Sequence, residues 1–187
     1  MIDEQQFIDE LLDERTKNRA FSLLIDKYQK PLYQHIRHVV INHEDAQDAL
    51  QNTFVNVFRG LPNFKRNSKL FSWMYKIAQN EALSILQKNA KSKKTSIEDV
   101  QHQNINGLQA SAYFDGDAIQ KALHLAVLKL PQQQQLIFKM KYFEDLKYEE
   151  IAEILSLSVG GLKAAYHIAV KKIELEINKI SNDETPL

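Results

Sequence analysis

Between Arg59 and Lys94 the cations Arg59, Lys65, Arg66, Lys69, Lys76, Lys88, Lys91, Lys93 and Lys94 are set against one acid, Glu81. Phe64, Phe71, Trp73 and Tyr75 are interleaved with them. Lysine and arginine neutralise phosphates, and flat rings stack on bases taken out of a duplex, so the mixture suits unpaired nucleic acid. The same rings also serve as core aromatics under a surface of lysines. For Tyr75 the two readings are level, whereas Trp73 is expected to be amphipathic and partly packed. Asn80 falls mid-helix, where asparagine is a poor helix former, and is expected to bond to a base or a neighbouring loop.

A second constellation is YEEIAEILSLSVGGLKAAYHIAVKKI, residues 148–173. Ile151, Ala152 and Leu155 would face a core from one helix, and Val159, Leu162 and Ala169 from the next. The intervening Ser156, Leu157 and Ser158 make the turn, with Ser158 able to cap the second helix and donate to a phosphate. A helix-turn-helix of this kind places the early turns of its second helix in a major groove. The residues predicted to be exposed there are Gly160, Gly161, Lys163, Ala164, Tyr166, His167 and Lys171. Lys163, His167, Lys171 and Lys172 are expected to supply phosphate contacts. Few of these side chains read bases by hydrogen bonds, so much of the binding is expected to be positional. A plain helical hairpin with a solvated lysine face fits the same segment.

Catalytic chemistry is not expected. His35, His38 and His43 are spaced H-x2-H-x4-H, but zinc needs three or four ligands and no carboxylate completes the set. They are expected to be surface or half-buried histidines. Glu149, Glu150 and Glu153 are expected on a solvated or partner-facing surface. No glycine-rich phosphate loop is formed by the five glycines, and no metal, cofactor or small-molecule substrate is expected.

The elements that must position these residues follow from hydrophobic period. The chain has 187 residues, enough for one large or two small domains, and 44% are hydrophobic, enough for real cores. Phe7, Ile8, Leu11 and Leu12 have helical spacing, as do Phe21, Leu24, Ile25 and Tyr28. Pro31 is expected to interrupt that second helix before Leu32, His35, Ile36, Val39 and Val40 resume it. Asn42 is a predicted N-cap, with Asp45 at the third helical position as in a capping box, for a helix to about Arg59. Gly60, Pro62 and Asn63 break the chain. Ser68 or Ser72 would cap the next helix, with Ile77, Leu83 and Leu86 inward. From about Lys88 to Asp117 the pattern fails and suggests a linker. Beyond it, Ile119, Leu123, Ala126, Val127 and Leu130 form one stripe, and Leu136, Ile137, Met140 and Phe143 another that starts after Pro131. Two helices follow, from Tyr148 to about Leu155 and from Val159 to about Ile177. The final SNDETPL is expected to be disordered. The fold class expected is all-α: two small helical domains, 1–90 and 118–187, joined by a flexible linker at 91–117, the second a helix-turn-helix.

Lysine plus arginine and aspartate plus glutamate number 24 each, so the formal net charge is zero. The local basic run shows why that average misleads for a nucleic-acid binder. With no cysteine, a disulfide scaffold and a thiolate zinc site are excluded. The opening MIDEQQFIDE is acidic and amphipathic, unlike a secretory signal, and the expected location is the cytoplasm.

Three stretches taken together, EDAQDALQNTFVNVFR, FKRNSKLFSWMYKIAQNEAL and LPQQQQLIFKMKYFEDLKYEEIAEILSLSVGGLKAAYHIAVKKI, resemble the compact two-domain bacterial sigma factors of the extracytoplasmic-function type. The resemblance runs from about Phe21 to Ile177. It implies an RNA polymerase specificity subunit that recognises promoter minus-ten and minus-thirty-five elements and promotes transcription initiation. It implies contacts with the β′ clamp and β flap of core polymerase, with Asp45, Asp48, Gln51, Asn52 and Phe54 on the polymerase-binding helix that docks on the β′ clamp. It implies minus-ten DNA binding by Phe64, Lys65, Arg66, Asn67, Lys69, Trp73, Lys76 and Asn80, with the loop from about Pro62 to Leu70 capturing a flipped base. Minus-thirty-five binding would fall to Ser158, Gly160, Lys163, Tyr166, His167 and Lys171. Core polymerase, promoter DNA and an anti-sigma factor are the implied partners. Ser84, Gln87, Gln135, Gly161, Ala164, Ala165 and Ile168 depart from the family's common residues; the lack of arginines should weaken bidentate guanine contacts. The competing reading is a stand-alone helix-turn-helix regulator.

Overall fold

The structure is a computed structural model and describes residues 4–40, 42–93 and 118–183. The regular elements among these residues are helical. They are α1 (Glu4–Leu12), α2 (Lys17–Val39), α3 (His43–Gly60), a 3-10 turn (Leu61–Asn63), α4 (Leu70–Lys93), α5 (Ala118–Leu128), α6 (Gln132–Tyr142), α7 (Tyr148–Leu155) and α8 (Val159–Asp183). The chain divides into two compact units, Met1–Val100 and Gln101–Leu187. Of the expected linker, residues 94–117 lie outside the described residues, and 91–93 belong to α4.

In the first unit α1 to α4 enclose a core of Ile8, Leu11, Ala20, Leu24, Val57, Leu61, Phe64, Leu70 and Met74. The break expected at Pro31 does not occur, and α2 passes through it. Proline removes one amide donor, at a cost of about 3 kcal/mol. Leu24 before it and Leu32 and Ile36 after it are fully buried on one face. Each contributes about 1.5–3 kcal/mol, which outweighs the lost bond.

Asn42 caps α3 as predicted: its Oδ1 accepts the amides of Glu44 at 2.8 Å and Asp45 at 3.1 Å. The carboxylate of Asp45 bonds elsewhere, accepting Asn89 Nδ2 at 2.8 Å. With Asn56 Nδ2 donating to Glu81 Oε1 at 2.8 Å, this ties α3 to α4 at two points. Neither Ser68 nor Ser72 caps α4. Ser72 is buried, and the Leu70 amide donates to Glu4 Oε1 on α1 at 3.0 Å.

The second unit packs Ala126, Val127, Leu130, Phe138, Ala169 and Ile173 together, with Leu123, Tyr166, Val170 and Ile177 around them. Gln135 Nε2 donates to the carbonyls of Leu128 and Leu130, closing the end of α5. The last helix continues past Ile177 to Asp183, so residues 181–183 are helical rather than disordered; residues 184–187 lie outside the described set.

Candidate nucleic-acid interface

From Lys69, the residue just before α4, the spacing 69, 73, 76, 80 places Lys69, Trp73, Lys76 and Asn80 along one stripe, continued by Ser84 and Gln87. Lys69, Lys76, Asn80, Ser84 and Gln87 are exposed and Trp73 is half-buried. The opposite side of the helix is core, with Met74, Ala78 and Ala82 at 0% exposure. Helical periodicity thus brings together four of the predicted minus-ten residues. Lys65, Arg66 and Asn67 are also exposed, on the loop before α4.

One aromatic expectation is corrected and one open choice is decided. Phe64, predicted to meet DNA, is 8% exposed and belongs to the core, its ring 5.0 Å from that of Trp73. Tyr75 is 3% exposed, between His35 at 4.9 Å and Phe71 at 4.2 Å between centroids. Burial of an apolar ring in a small core is worth more than an exposed stacking platform, so both turn inward. Trp73 lies so close to Gly60 that an added Cβ there would meet Cζ2 at 3.0 Å. Gly60 is thus a packing glycine as well as a chain break.

Arg66 is not simply a loose cation. It adopts φ 56°, the left-handed region, and its guanidinium bonds to Asp9 at 2.5 Å and Gln5 at 3.2 Å on α1. With Glu4 on the Leu70 amide, three α1 side chains hold the two ends of the loop 66–70. The sequence placed α1 as an amphipathic helix but gave no sign that its acidic side would be spent on this loop.

On α3, Asp48, Gln51 and Asn52 form an exposed polar face. Val55, at 40% exposure, sits one turn on in the same stripe and had not been singled out. Phe54 is half-buried, packed on the core with its ring 6.4 Å from Phe21. Asp45 is half-buried and held by Asn89. His35 is fully buried and His43 Nδ1 lies 2.6 Å from the Tyr33 hydroxyl, so these two histidines are engaged separately.

In the second unit α7 and α8 form the helix-turn-helix. Glu150 accepts the Lys147 amide to start α7, and Ser156 ends it in a left-handed conformation of φ 55°. Ser158 Oγ accepts the Gly161 amide at 3.1 Å, capping α8 as predicted. Leu162, Ala169 and Ile173 are buried beneath α8. Its outer side exposes Gly160, Gly161, Lys163, Ala164, His167, Ile168, Lys171 and Lys172. Tyr166, expected among them, is corrected. It is half-buried, stacked on Phe138 at 5.8 Å and edge-on to Tyr148, and burial raises its hydroxyl pKa, with Tyr148 and Tyr142 adding to the effect. Lys163 Nζ rests 5.6 Å from the centre of the Tyr148 ring.

The sequence matches the family profile described as Sigma-70 region 2 over residues 24–92 and that described as Sigma-70, region 4 over residues 120–173. It is 27% identical to the RNA polymerase sigma-H factor of Pseudomonas aeruginosa, over 91% of this chain and 92% of that protein. It is 25% identical to the ECF RNA polymerase sigma-E factor of Haemophilus influenzae, over 94% and 98% of the two chains. The chain is a sigma factor of the sigma-70 family, extracytoplasmic-function type. Its fold is shared with the sigma factor RpoE solved in complex with the anti-sigma factor NepR from Bartonella quintana, at TM-score 0.63 and 18% identity, over 84% of this chain and 96% of that one.

Within this sigma factor, the α3 face and the α4 stripe fall inside the region 2 match, and α7 with α8 as far as Ile173 falls inside the region 4 match. Helix α1 precedes the matched segment, which is why its hold on the loop had no signature in the motifs. None of the helices among the described residues is long and apolar enough to cross a membrane.

Proposed function

We propose that this sigma factor divides its work between its two units: the first binds core RNA polymerase and the minus-ten element, and the second the minus-thirty-five element. The observation that carries this reading is the separation of surfaces on the first unit. Asp48, Gln51, Asn52 and Val55 occupy one exposed side of α3, and Lys69, Trp73, Lys76 and Asn80 one exposed side of α4. An uncharged-to-acidic face with an exposed valine suits a protein partner, the β′ clamp. A cationic stripe next to Lys65 and Asn67 suits a DNA strand. In the second unit Ser158, Gly160, Lys163, His167 and Lys171 would meet the minus-thirty-five duplex.

The action is binding rather than covalent catalysis. Holding a base outside the stack offsets the few kcal/mol of stacking lost when the minus-ten element opens. Two weakly binding units on one chain gain affinity by effective concentration once polymerase fixes their separation. The sigma factor would work in the cytoplasm, and the likeness to RpoE held by NepR supports an anti-sigma partner.

The test is transcription in vitro with core polymerase. Asp48→Ala with Gln51→Ala, both on exposed positions, should lower core affinity about tenfold or more with an unchanged helical circular dichroism spectrum. Normal core affinity in that variant would overturn the α3 assignment. Tight binding of the protein alone to a palindromic duplex, with no stimulation of polymerase, would favour the stand-alone regulator.

A further inference from the structure

The outer side of α8 carries a feature unusual for a solvated helix. Ile168 is 46% exposed. Ala164, one turn earlier on the same side, is exposed too, as is Gly161 one turn before that. Lys163 and His167 lie along one border of this apolar strip, Lys172 along the other, and Lys171 ahead of it. From Val159 to Ile173 the helix contains no acid, and its N-terminus adds the positive end of the helix dipole. Two cationic borders around an apolar strip fit a groove with phosphates on both sides, and they disfavour an ordinary apolar protein surface. At Gly160 an added Cβ would meet nothing within 4 Å, so the backbone there is open to close approach.

The same surface lacks arginine, asparagine and glutamine between residues 159 and 173, the side chains that make bidentate bonds to guanine or adenine. What remains on its midline is methyl and methylene surface. In the major groove the base-specific partner for such surface is the C5-methyl group of thymine. We propose that Ala164 and Ile168 are the specificity-determining residues of α8, and that they select the minus-thirty-five element by packing on thymine methyl groups. This rests on the minus-thirty-five reading above and adds to it the chemical group that is recognised.

Uracil in place of thymine removes that methyl and leaves the Watson–Crick edge unchanged, which gives an atom-level test. Holoenzyme assembled from core polymerase and the full chain would first select its upstream element from a randomised promoter library. Each selected thymine is then replaced singly by uracil. At one or two positions uracil should weaken binding about fourfold, the effect of one buried methyl group. Ile168→Ala should make the holoenzyme indifferent to uracil at one of those positions, while Lys163→Ala should weaken binding to thymine and uracil templates alike. The proposal is overturned if no uracil has an effect while the upstream element is still required, or if Ile168→Ala remains fully sensitive. A holoenzyme that ignores the upstream element altogether would overturn the minus-thirty-five reading and the methyl proposal with it.

Discussion

Removing the carboxylate of Glu4 should loosen the start of α4 although the two residues are 66 apart in sequence. Glu4 Oε1 accepts the Leu70 amide at 3.0 Å in a part-buried position. That amide is one of the four that a helix leaves without an internal partner. Loss of a side-chain cap costs about 1 kcal/mol, with a range of about 0.5–2. Glu4→Ala should therefore destabilise the first unit by about 1 kcal/mol. Glu4→Gln keeps an acceptor oxygen and gives up only the charge near the helix N-terminus, about 0.5 kcal/mol or less. Asp9→Ala should cost at most about 1 kcal/mol and less in salt, because the Asp9 side chain is 66% exposed and Arg66 36% exposed. The protein carries its own reporter. Trp73 is its single tryptophan, and its ring lies against Gly60 and Phe64 beside the loop that α1 holds. Urea unfolding of the full chain followed by Trp73 fluorescence should show the midpoint of Glu4→Ala lowered by about 0.3–1 M, for a slope of about 1–3 kcal/mol per molar urea. An unshifted midpoint would refute the reasoning. So would a Glu4→Gln variant as weak as Glu4→Ala, since that would assign the whole effect to charge and none to the accepted hydrogen bond.

Two further outcomes follow from burial. Phe64→Ala should destabilise the first unit by about 3–5 kcal/mol and Phe64→Leu by about 1 kcal/mol, with Phe64→Leu still able to open promoters; a Phe64→Leu protein that is stable but cannot open promoters would return Phe64 to the DNA-contacting set. Burial lowers the Lys139 pKa from 10.5 to about 8, with Glu144 partly opposing the shift. Between those values the unfolded chain holds more protons, so stability rises with pH across the window, and the cost of holding the half-buried ammonium charged is full below pH 8. Lys139→Met should raise the thermal midpoint of the second unit at pH 7, and its advantage over the parent should shrink by pH 10; an advantage that does not change with pH would refute the assignment.

The helical fold of the described residues was legible because apolar residues recur at helical spacing in most of the segments that became helix; the last turn of α4, to Lys93, is an exception. Asn42, Ser158 and the 156–158 turn were legible for a similar reason, since caps and turns are decided by neighbours within three or four residues. The α4 stripe and the cationic side of α8 were also contained in the spacing of their residues. What local pattern could not decide was the sign of a choice between two environments. Phe64, Tyr75 and Tyr166 have side chains equally suited to a base or a core, and only the arrival of Trp73, His35 and Phe138 from elsewhere in the chain buried the first two and half-buried the third. Pro31 is a helix breaker by itself, and only the burial of Leu24, Leu32 and Ile36 on one face made a continuous helix the better solution. The hold of Glu4, Gln5 and Asp9 on the loop at Arg66 depends on two segments that share no motif. The sequence by itself determined the helical class, the local caps of α3 and α8 and the family; tertiary structure alone decided which aromatic and charged side chains were spent on packing and which remained on the surface, because that depends on partners brought together only by folding.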